Sequence, residues 1–292
     1  MQWERERLAA LPDVPYKGIT FTMPKTLWPV FHENPHLTKA LAELAATVIM
    51  AWAKAKHGLR VGVISILQTF NGRLEFNSHV HTLVTSGGLQ GSGQWLSSIF
   101  YDNESLMKAW RGGTLDLLRT ASRAGQLRTK MSNDQVMEVL VQEERWWSVK
   151  IQSFRSKQHF LKYAGRYLRR PPIAQRRTTD VTSDGVTFWT EDKKLKCRVL
   201  VRYSLVEFVD LWAQHILDHY EHAVRYFGLL APRALSNTSA AILAILDQEH
   251  IPRPKRIPWS VSIRRNFGWD PLLDSKGSRM KPMRRLAPAT SR

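Results

Sequence analysis

The chain has 292 residues, with 43 lysines and arginines against 25 acidic residues, and therefore a formal net charge of +18. A hydrophobic content of 43% is normal for a globular protein and excludes a wholly disordered chain. The excess of positive charge predicts a polyanionic partner, with nucleic acid as the first candidate and a membrane surface as the second. The single cysteine, Cys197, excludes an intrachain disulfide framework and a cysteine-based zinc site.

No segment has the pattern of a membrane anchor or a secretion signal. The longest apolar run covers residues 44–53, whereas a bilayer-spanning helix needs about twenty residues. The first seven residues carry four charges and lack the apolar core of a signal peptide. We therefore expect a cytoplasmic protein that has no membrane partner.

The first third of the chain alternates helical and strand-like patterns. In chain order these are an opening helical stretch, a β-branched run at 18–23, a helix at 37–56 and two apolar strands at 61–70 and 80–85. Asn71-Gly72 lies between the last two strands and favours a two-residue hairpin turn.

The remaining elements predict more helices and short strands. Helices are predicted at 104–123, 133–144 and 157–170, and strands at 146–154, 181–182, 186–190 and 197–203. Pro171-Pro172 ends the helix before it, and Ser204, with Glu207 three residues later, starts another helix as a capping box. The order predicts an α+β fold with a mainly antiparallel central sheet flanked by helices. We assign this domain to residues 1–235 and a basic, proline-containing tail to residues 236–292.

His79 and His81 are the first candidate for a chemical site. They are two residues apart in a strand-like run, so both imidazoles point to one face and can reach one divalent ion, while Val80 points to the other. The alternative interpretation is chance, because ten histidines in one chain give a His-x-His pattern easily. Two imidazoles leave a metal site incomplete and require a further ligand.

The third ligand depends on the register of the hairpin. A two-residue turn at Asn71-Gly72 pairs Gln68 with Glu75, and both then lie about 13 Å along the ladder from the histidines. A bulge or a longer loop across residues 73–78 would instead bring Gln68 opposite His79. The sequence leaves both registers open.

Tyr163 and Tyr167 are the candidate nucleophiles. They are four residues apart in a predicted helix and therefore share a face, which equally fits an aromatic pair packed on the core. Their surroundings favour a phosphate-binding surface, because residues 150–177 contain nine lysines and arginines and no acidic residue. The cations nearest the tyrosines, which we expect to bind DNA, are Lys162, Arg166, Arg169 and Arg170.

These motifs together resemble a known family. A strand carrying His-hydrophobe-His, followed by a helix carrying Tyr-x-x-x-Tyr, resembles the HUH endonucleases, and within them the two-tyrosine rolling-circle transposases of the IS-ninety-one type. Other segments within residues 1–235 are similar to that family in the same order. They are residues 14–24, 67–81, 87–89, 163–174 and 225–230.

The resemblance implies a function and a set of roles. It implies that His79 and His81 bind a divalent metal, magnesium or manganese, and that Tyr163 and Tyr167 are nucleophiles. The glutamine of the same strand segment suggests Gln68 as the third ligand. The implied enzyme nicks single-stranded DNA at mobile-element ends through a covalent 5′-phosphotyrosine intermediate and transfers the strand. Its expected partner is single-stranded DNA at the element ends and at the target.

Other functions remain open at this stage. Members of the family usually begin with a cysteine-rich zinc-binding region, which this sequence lacks. Two interpretations are a truncated reading frame and a family member that lacks this region. Within the same chemistry, the alternative is a rolling-circle replication initiator or a relaxase-like nicking enzyme. In a different class, the chain is a non-catalytic DNA-binding remnant of a transposase.

Overall fold

The computed structural model describes residues 2–130, 147–154, 156–168, 172–192, 195–216, 221–252, 254–255 and 257–280. In chain order the helices are α1 (Gln2–Ala10), α2 (Trp28–Glu33), α3 (Pro35–His57), α4 (Asn103–Arg123), α5 (Lys157–Leu168), α6 (Leu205–Ala213), α7 (Pro232–Ile245) and α8 (Trp259–Phe267). The strands are β1 (Tyr16–Phe21), β2 (Leu59–Arg60), β3 (Gly62–Phe70), β4 (Phe76–Thr85), β5 (Gly88–Gln90), β6 (Trp95–Leu96), β7 (Val149–Phe154), β8 (Thr178–Val181), β9 (Val186–Asp192), β10 (Cys197–Tyr203) and β11 (Val224–Gly228). The helix predicted at 133–144 lies outside the described residues.

A five-stranded sheet in the order β11-β3-β4-β1-β7 forms the centre of the molecule. Every neighbouring pair in it is antiparallel. The predicted α+β class and the antiparallel central sheet flanked by helices are therefore confirmed. Two three-stranded sheets accompany it in the described part of the chain, in the orders β10-β9-β8 and β2-β5-β6.

The two faces of the central sheet are covered by different helices. Because side chains alternate along a strand, Val63, Val80 and Ile19 point to one face, where they form a core with α3 and α4. Burial of this apolar surface stabilises the sheet by roughly 25 cal/mol per Å². Residues of the opposite parity, such as Ile64 and Leu83, point to the other face, where α1 and α5 supply the apolar cover.

The α3 helix forms most of the cover on the first face. Proline at its first position suits a helix start, because the missing N–H would have no helical partner there. Its buried stripe includes Leu41 and Ile49 at helical spacing. It ends at Gly58, whose φ of +66° is a left-handed conformation that glycine adopts without steric cost.

The β3–β4 connection differs from the two-residue turn that the sequence predicts. Phe70 pairs with Phe76, so residues 71–75 form the loop. The Asn71 Oδ1 accepts hydrogen bonds from the backbone N–H groups of Arg73 and Glu75, at 2.8 Å and 3.2 Å. Leu74 has φ +69° and a fully buried side chain. The hydrogen bonds that Asn71 accepts and the burial of Leu74 together stabilise the longer loop.

The β10-β9-β8 sheet, together with α6, forms a small unit attached to that loop. Its core contains Phe188 and Ile173, and Leu74 of the loop inserts into it. The α6 helix begins with the predicted capping box, in which Ser204 and Glu207 exchange side-chain-to-backbone hydrogen bonds. These contacts fix the small sheet to the tip of the β3–β4 hairpin.

The α7 helix spans residue 235, the boundary that the sequence predicts between domain and tail. Leu235 and Ile242 on this helix are buried, and Leu246 packs on the core of α1 and α5. Gln248 exchanges two hydrogen bonds of 2.8 Å with the backbone of Asp13. The segment that follows the helix is therefore tied to the residues just before β1. Among the described residues, no helix is both long and apolar enough to cross a membrane.

Candidate active site

The predicted metal ligands share one face of the central sheet. β3 and β4 pair so that His81 lies opposite Ile66 and His79 lies opposite Gln68. Directly opposite residues of an antiparallel pair point to the same face. Both imidazoles and the Gln68 amide therefore lie together, while Val80 is fully buried on the other face.

His81 is held from the strands on both sides and is only 8% exposed. Its Nδ1 lies 3.1 Å from the Thr20 hydroxyl on β1, and its Nε2 lies 3.2 Å from the Gln68 Oε1 on β3. An amide oxygen only accepts, so in the neutral ring Nε2–H donates to Gln68 and Nδ1 accepts from Thr20. The ring is thereby fixed in place between the two strands.

His79 has its proton on the opposite ring nitrogen. Its Nδ1 lies 2.8 Å from the backbone oxygen of Asn77. A carbonyl oxygen only accepts, so Nδ1–H donates and Nε2 keeps the lone pair with which a neutral imidazole binds a metal. The rings of His79 and His81 are 4.9 Å apart between centroids and nearly perpendicular.

This donor set fits a divalent metal. Two imidazoles on one metal have centroids about 4.5–5.2 Å apart if the metal–nitrogen bonds are about 2.1 Å long, and the observed 4.9 Å lies in this range. In the described part of the chain, no three histidine, cysteine or acidic side chains could share a metal. The nearest further donor is the Gln68 amide oxygen. Manganese accepts such a mixed nitrogen and oxygen set, whereas magnesium prefers oxygen alone.

The structure separates the two residues that competed for the third position. Gln68 lies opposite His79 because of two features of the hairpin. The five-residue loop pairs Phe70 with Phe76, and an irregularity of the pairing between Gln68 and Phe70 shifts the register by one further residue. The pairing of Gln68 with Glu75 is therefore wrong. Glu75 belongs to the loop instead, where its carboxylate accepts a 2.8 Å hydrogen bond from the Asn71 side chain.

The α5 helix, which carries both tyrosines, runs from the far end of this face towards the histidines. Near its start, the Phe160 ring stacks on Tyr16 with centroids 4.0 Å apart. The Lys157 amino group donates to the carbonyl oxygens of Leu8 and Leu11 in the last turn of α1 and just after it, both at 3.0 Å.

The C-terminal half of α5 runs alongside α1, in the opposite direction. A Cβ on Gly165 would lie 2.7 Å from the Glu4 carboxylate, so the two helices touch near the start of α1. Between these points, Arg7 lies over the Tyr226 ring, which is nearer to the histidines than Tyr16 along the sheet. Tyr163 is half-buried and packs on Phe154, with centroids 5.0 Å apart. The Tyr167 side chain lies outside the described residues.

A family model described as "Putative transposase" (Y2_Tnp) matches residues 62–238. The chain belongs to this transposase family. The matched segment contains Gln68, both histidines and both tyrosines. The expected resemblance to two-tyrosine transposases is thereby confirmed.

Two curated proteins give the same family. The chain is 31% identical over 245 residues to the "Transposase for insertion sequence element IS801" of Pseudomonas savastanoi pv. phaseolicola, covering 80% of this chain and 58% of that protein. It is 26% identical over 279 residues to "Putative transposase y4qJ" of Sinorhizobium fredii, covering 87% of this chain and 67% of that protein. The chain thus spans about three fifths of the length of these relatives.

The basic segment of this transposase divides into two groups of cations. Lys157 is 7% exposed, and burial lowers the pKa of its amino group, which binds two backbone carbonyl oxygens. Arg177 donates to the backbone oxygens of Trp189 and Gly72. These two side chains support the fold, whereas Lys150 and Lys162 are exposed to solvent. The other predicted DNA-binding side chains, those of Arg166, Arg169 and Arg170, lie outside the described residues.

Thr20 is a neighbour of His81 that the sequence did not predict. The β-branched run at 18–23 predicts a strand but not the strands with which it pairs. The structure pairs Thr20 with His81 on one side and with Lys150 on the other, so the three share a face. The residue types at 18–23 predict a strand and its two faces, but they cannot show which strands pair with β1.

Proposed function

We propose that this transposase nicks single-stranded DNA at mobile-element ends through a covalent 5′-phosphotyrosine intermediate that depends on a divalent metal. The observation that carries the proposal is the grouping of Gln68, His79 and His81 on the sheet face that the tyrosine helix covers. The partner is single-stranded DNA at the element ends and at the target. We place this activity in the cytoplasm, where the DNA of a bacterial element lies.

The three sheet residues would hold the metal. His79 would bind through Nε2, because its Nδ1 donates to the Asn77 oxygen. His81 would bind through Nε2 in the tautomer with the proton on Nδ1, and this Nδ1–H would donate a hydrogen bond to the Thr20 hydroxyl oxygen. A hydroxyl can donate or accept, so Thr20 supports both tautomers and keeps the ring in place.

The metal, when bound, supplies a Lewis acid that polarises a phosphodiester oxygen. A phenol has a pKa near 10 and is therefore a weak nucleophile at neutral pH. The tyrosine oxygen forms a bond to phosphorus, and the bond from phosphorus to the 3′ oxygen breaks. The phenol proton leaves to solvent, and the departing 3′ oxygen takes up a proton. The product is a 5′-phosphotyrosine and a free 3′-hydroxyl.

Two tyrosines on one helix allow two successive attacks. One tyrosine holds the first 5′ end while the other attacks a second phosphodiester, so the first product need not be released. The free 3′-hydroxyl of either strand can then reverse either ester and join the strands without ATP. The arrangement therefore supports transfer of a strand as well as cleavage.

Positive charge beside the histidines suits a DNA backbone. Lys150 is exposed and lies in the same row as His81, two strands away beyond Thr20. Neighbouring strands are about 4.8 Å apart, so the two Cα atoms are separated by about 10 Å. A phosphate bound next to the one being cleaved is within reach of this ammonium group.

The proposal is tested by removing both imidazoles. The His79→Ala/His81→Ala variant should lose manganese binding, measured by calorimetry, and manganese-dependent cleavage of single-stranded oligonucleotides that tile the DNA flanking the gene. Its circular dichroism spectrum and its affinity for single-stranded DNA should match those of the unaltered chain. Normal cleavage by the folded double variant would refute the metal site.

A further inference from the structure

The outer face of the β10-β9-β8 sheet is an exposed surface with an apolar and aromatic centre. Alternate residues of β9, such as Val186 and Phe188, point inwards and are buried. The β9 residues that alternate with these, Trp189 among them, point outwards. Leu200 on β10 lies opposite Trp189. The Leu200 side chain is 69% exposed, so the centre of this face has an apolar and an aromatic residue open to solvent.

The guanidinium group of Arg198 lies over the Trp189 indole. The Arg198 Cζ lies 4.3 Å from the indole centroid, and the Arg177 Cζ lies 5.7 Å from it. An indole with a guanidinium group over its ring is the kind of surface on which an unpaired base stacks. Trp189 is half-buried, so its position is fixed while part of the ring faces outwards.

Three cations and two acidic residues surround this centre, and one of the acidic residues, Glu191, lies opposite Arg198. Arg202 lies opposite Thr187, next to the Trp189–Leu200 pair, and Arg198 lies on the other side of that pair. Both arginines are exposed, as is Lys196 in the turn between β9 and β10. The acidic side chains on this face are Glu191 and Asp180. The spacing of cations on both sides of an apolar and aromatic centre suits a strand with stacked bases and flanking phosphates.

The small sheet is tightly attached to the hairpin that carries the histidines. The Arg177 Nη2 donates to the Gly72 oxygen at 2.6 Å, and the Tyr203 hydroxyl donates to the Arg73 oxygen at 3.0 Å. The side chains of Arg73 and Asp192 form an ion pair at 3.2 Å.

At this attachment the backbone of the hairpin loop lies close to the small sheet. A Cβ on Gly72 would lie 2.5 Å from the Thr190 hydroxyl, so the loop can approach the sheet this closely only because residue 72 is glycine. The loop ends where β4 begins at Phe76, three residues before His79, which corresponds to about 10 Å along the strand. The small sheet is therefore attached to a loop that lies about 10 Å along β4 from His79.

We propose that the outer face of the β10-β9-β8 sheet, defined by Trp189, Arg198, Leu200 and Arg202, is a binding surface for single-stranded DNA. Bases stack on the Trp189–Arg198 layer and on Leu200, while Arg198 and Arg202 contact phosphates. The surface rests on the proposed function in that the strand held here is the one cut at the histidines. Duplex DNA keeps its bases paired and cannot use the stacking surface.

The test measures the affinity for a short oligothymidine at several salt concentrations. Trp189→Ala should weaken binding about tenfold and leave the salt slope unchanged, because it removes stacking and no charge. Trp189→Phe should restore most of the affinity. Arg198→Ala should reduce the slope of log affinity against log salt by about 0.7. The affinity for duplex DNA should change little in Trp189→Ala.

Matched controls separate this surface from the fold and from the active site. Lys54→Ala removes an exposed cation on α3, and Phe100→Ala removes an aromatic ring that is 80% exposed; both should bind as the unaltered chain does. Leu200→Glu adds an unfavourable charge at an exposed position without disturbing the core, and should weaken binding as well. Thermal unfolding of each variant checks the fold.

The outcomes distinguish the two proposals. Normal single-strand affinity in both Trp189→Ala and Leu200→Glu would overturn the binding surface, as would an equal loss for duplex DNA. If the His79→Ala/His81→Ala variant still cleaves while Trp189→Ala binds poorly, the metal site fails and the binding surface stands. If the histidine variant binds normally and does not cleave, and Trp189→Ala binds poorly, both proposals hold.

Discussion

The histidine face of the central sheet and the outer face of the small sheet both present polar and aromatic side chains from antiparallel strands, but they fix them differently. His81 is almost buried and hydrogen-bonded on both ring nitrogens by neighbouring strands. Trp189 and Arg198 are held mainly by stacking, and their neighbour Leu200 is exposed. Directional contacts suit a metal, which requires fixed ligand geometry, whereas stacking tolerates any base.

The largest expected effect comes from changing Gln68, the proposed third metal ligand on the histidine face. Gln68→Ala removes the amide oxygen beside the imidazoles and should reduce manganese affinity more than any other single change outside the histidines. Glu75→Ala is the matched control, because Glu75 binds Asn71 in the loop and should leave the affinity unchanged. Manganese titration of cleavage rate and direct calorimetry measure both. The opposite order of effects would transfer the ligand role to Glu75.

The second-largest effect tests whether the hydrogen bond between Thr20 and His81 contributes to manganese affinity. Thr20→Val keeps the shape of the side chain and removes the hydroxyl at the His81 Nδ1, so manganese affinity should fall about 10- to 100-fold. Thr20→Ser should restore it. Thr22→Val provides the control, since this neighbouring hydroxyl donates to the Ser148 oxygen instead. Equal metal affinity in Thr20→Val and Thr20→Ser would show that His81 needs no support from β1.

The sequence predicts the local part of this site but not the part that depends on strand pairing. Alternation along a single strand placed His79 and His81 on one face correctly, because that property is local. The position of Gln68 depended on a five-residue loop and on a one-residue register shift between Gln68 and Phe70. The loop is stabilised by the burial of Leu74 against another sheet, a contact distant in sequence. Thr20 was missed for the same reason. The α+β class was predictable because the order of strands and helices survives errors of a few residues in their ends.

A smaller effect is expected for single cations, which separates charge from stacking. Lys162 is exposed on α5, and Lys162→Ala should weaken binding to all DNA sequences alike, because phosphate contacts carry no base information. The slope of log affinity against log salt should fall by about 0.7 for each phosphate that the variant no longer neutralises. Fluorescence anisotropy with two unrelated oligonucleotides checks this. A weakening confined to one sequence would assign Lys162 a role in reading bases.

The smallest effect concerns a histidine that connects the two regions. His215 follows α6 and contacts Thr69 on β3 and the Leu74 oxygen in the loop. Burial lowers the pKa of its imidazole, so the unfolded chain takes up a proton before the folded chain does as the pH falls. The stability contributed by neutral His215 is therefore fully present above a pH of about 6.5 and is lost as the pH falls through the folded pKa. Chemical denaturation should show a shallower pH dependence in His215→Gln, and an unchanged profile would show that His215 does not couple protonation to folding.

The covalent intermediate tests the central claim most directly. Single-stranded oligonucleotides that tile the DNA flanking the gene are incubated with the transposase and manganese, and the products are separated under denaturing conditions. We expect a protein–DNA adduct whose phosphate maps to Tyr163 or Tyr167. The double variant Tyr163→Phe/Tyr167→Phe, which keeps both rings, should fold and bind DNA without forming the adduct. An adduct in the double variant, or full cleavage by the unaltered transposase without any adduct, would contradict a phosphotyrosine mechanism.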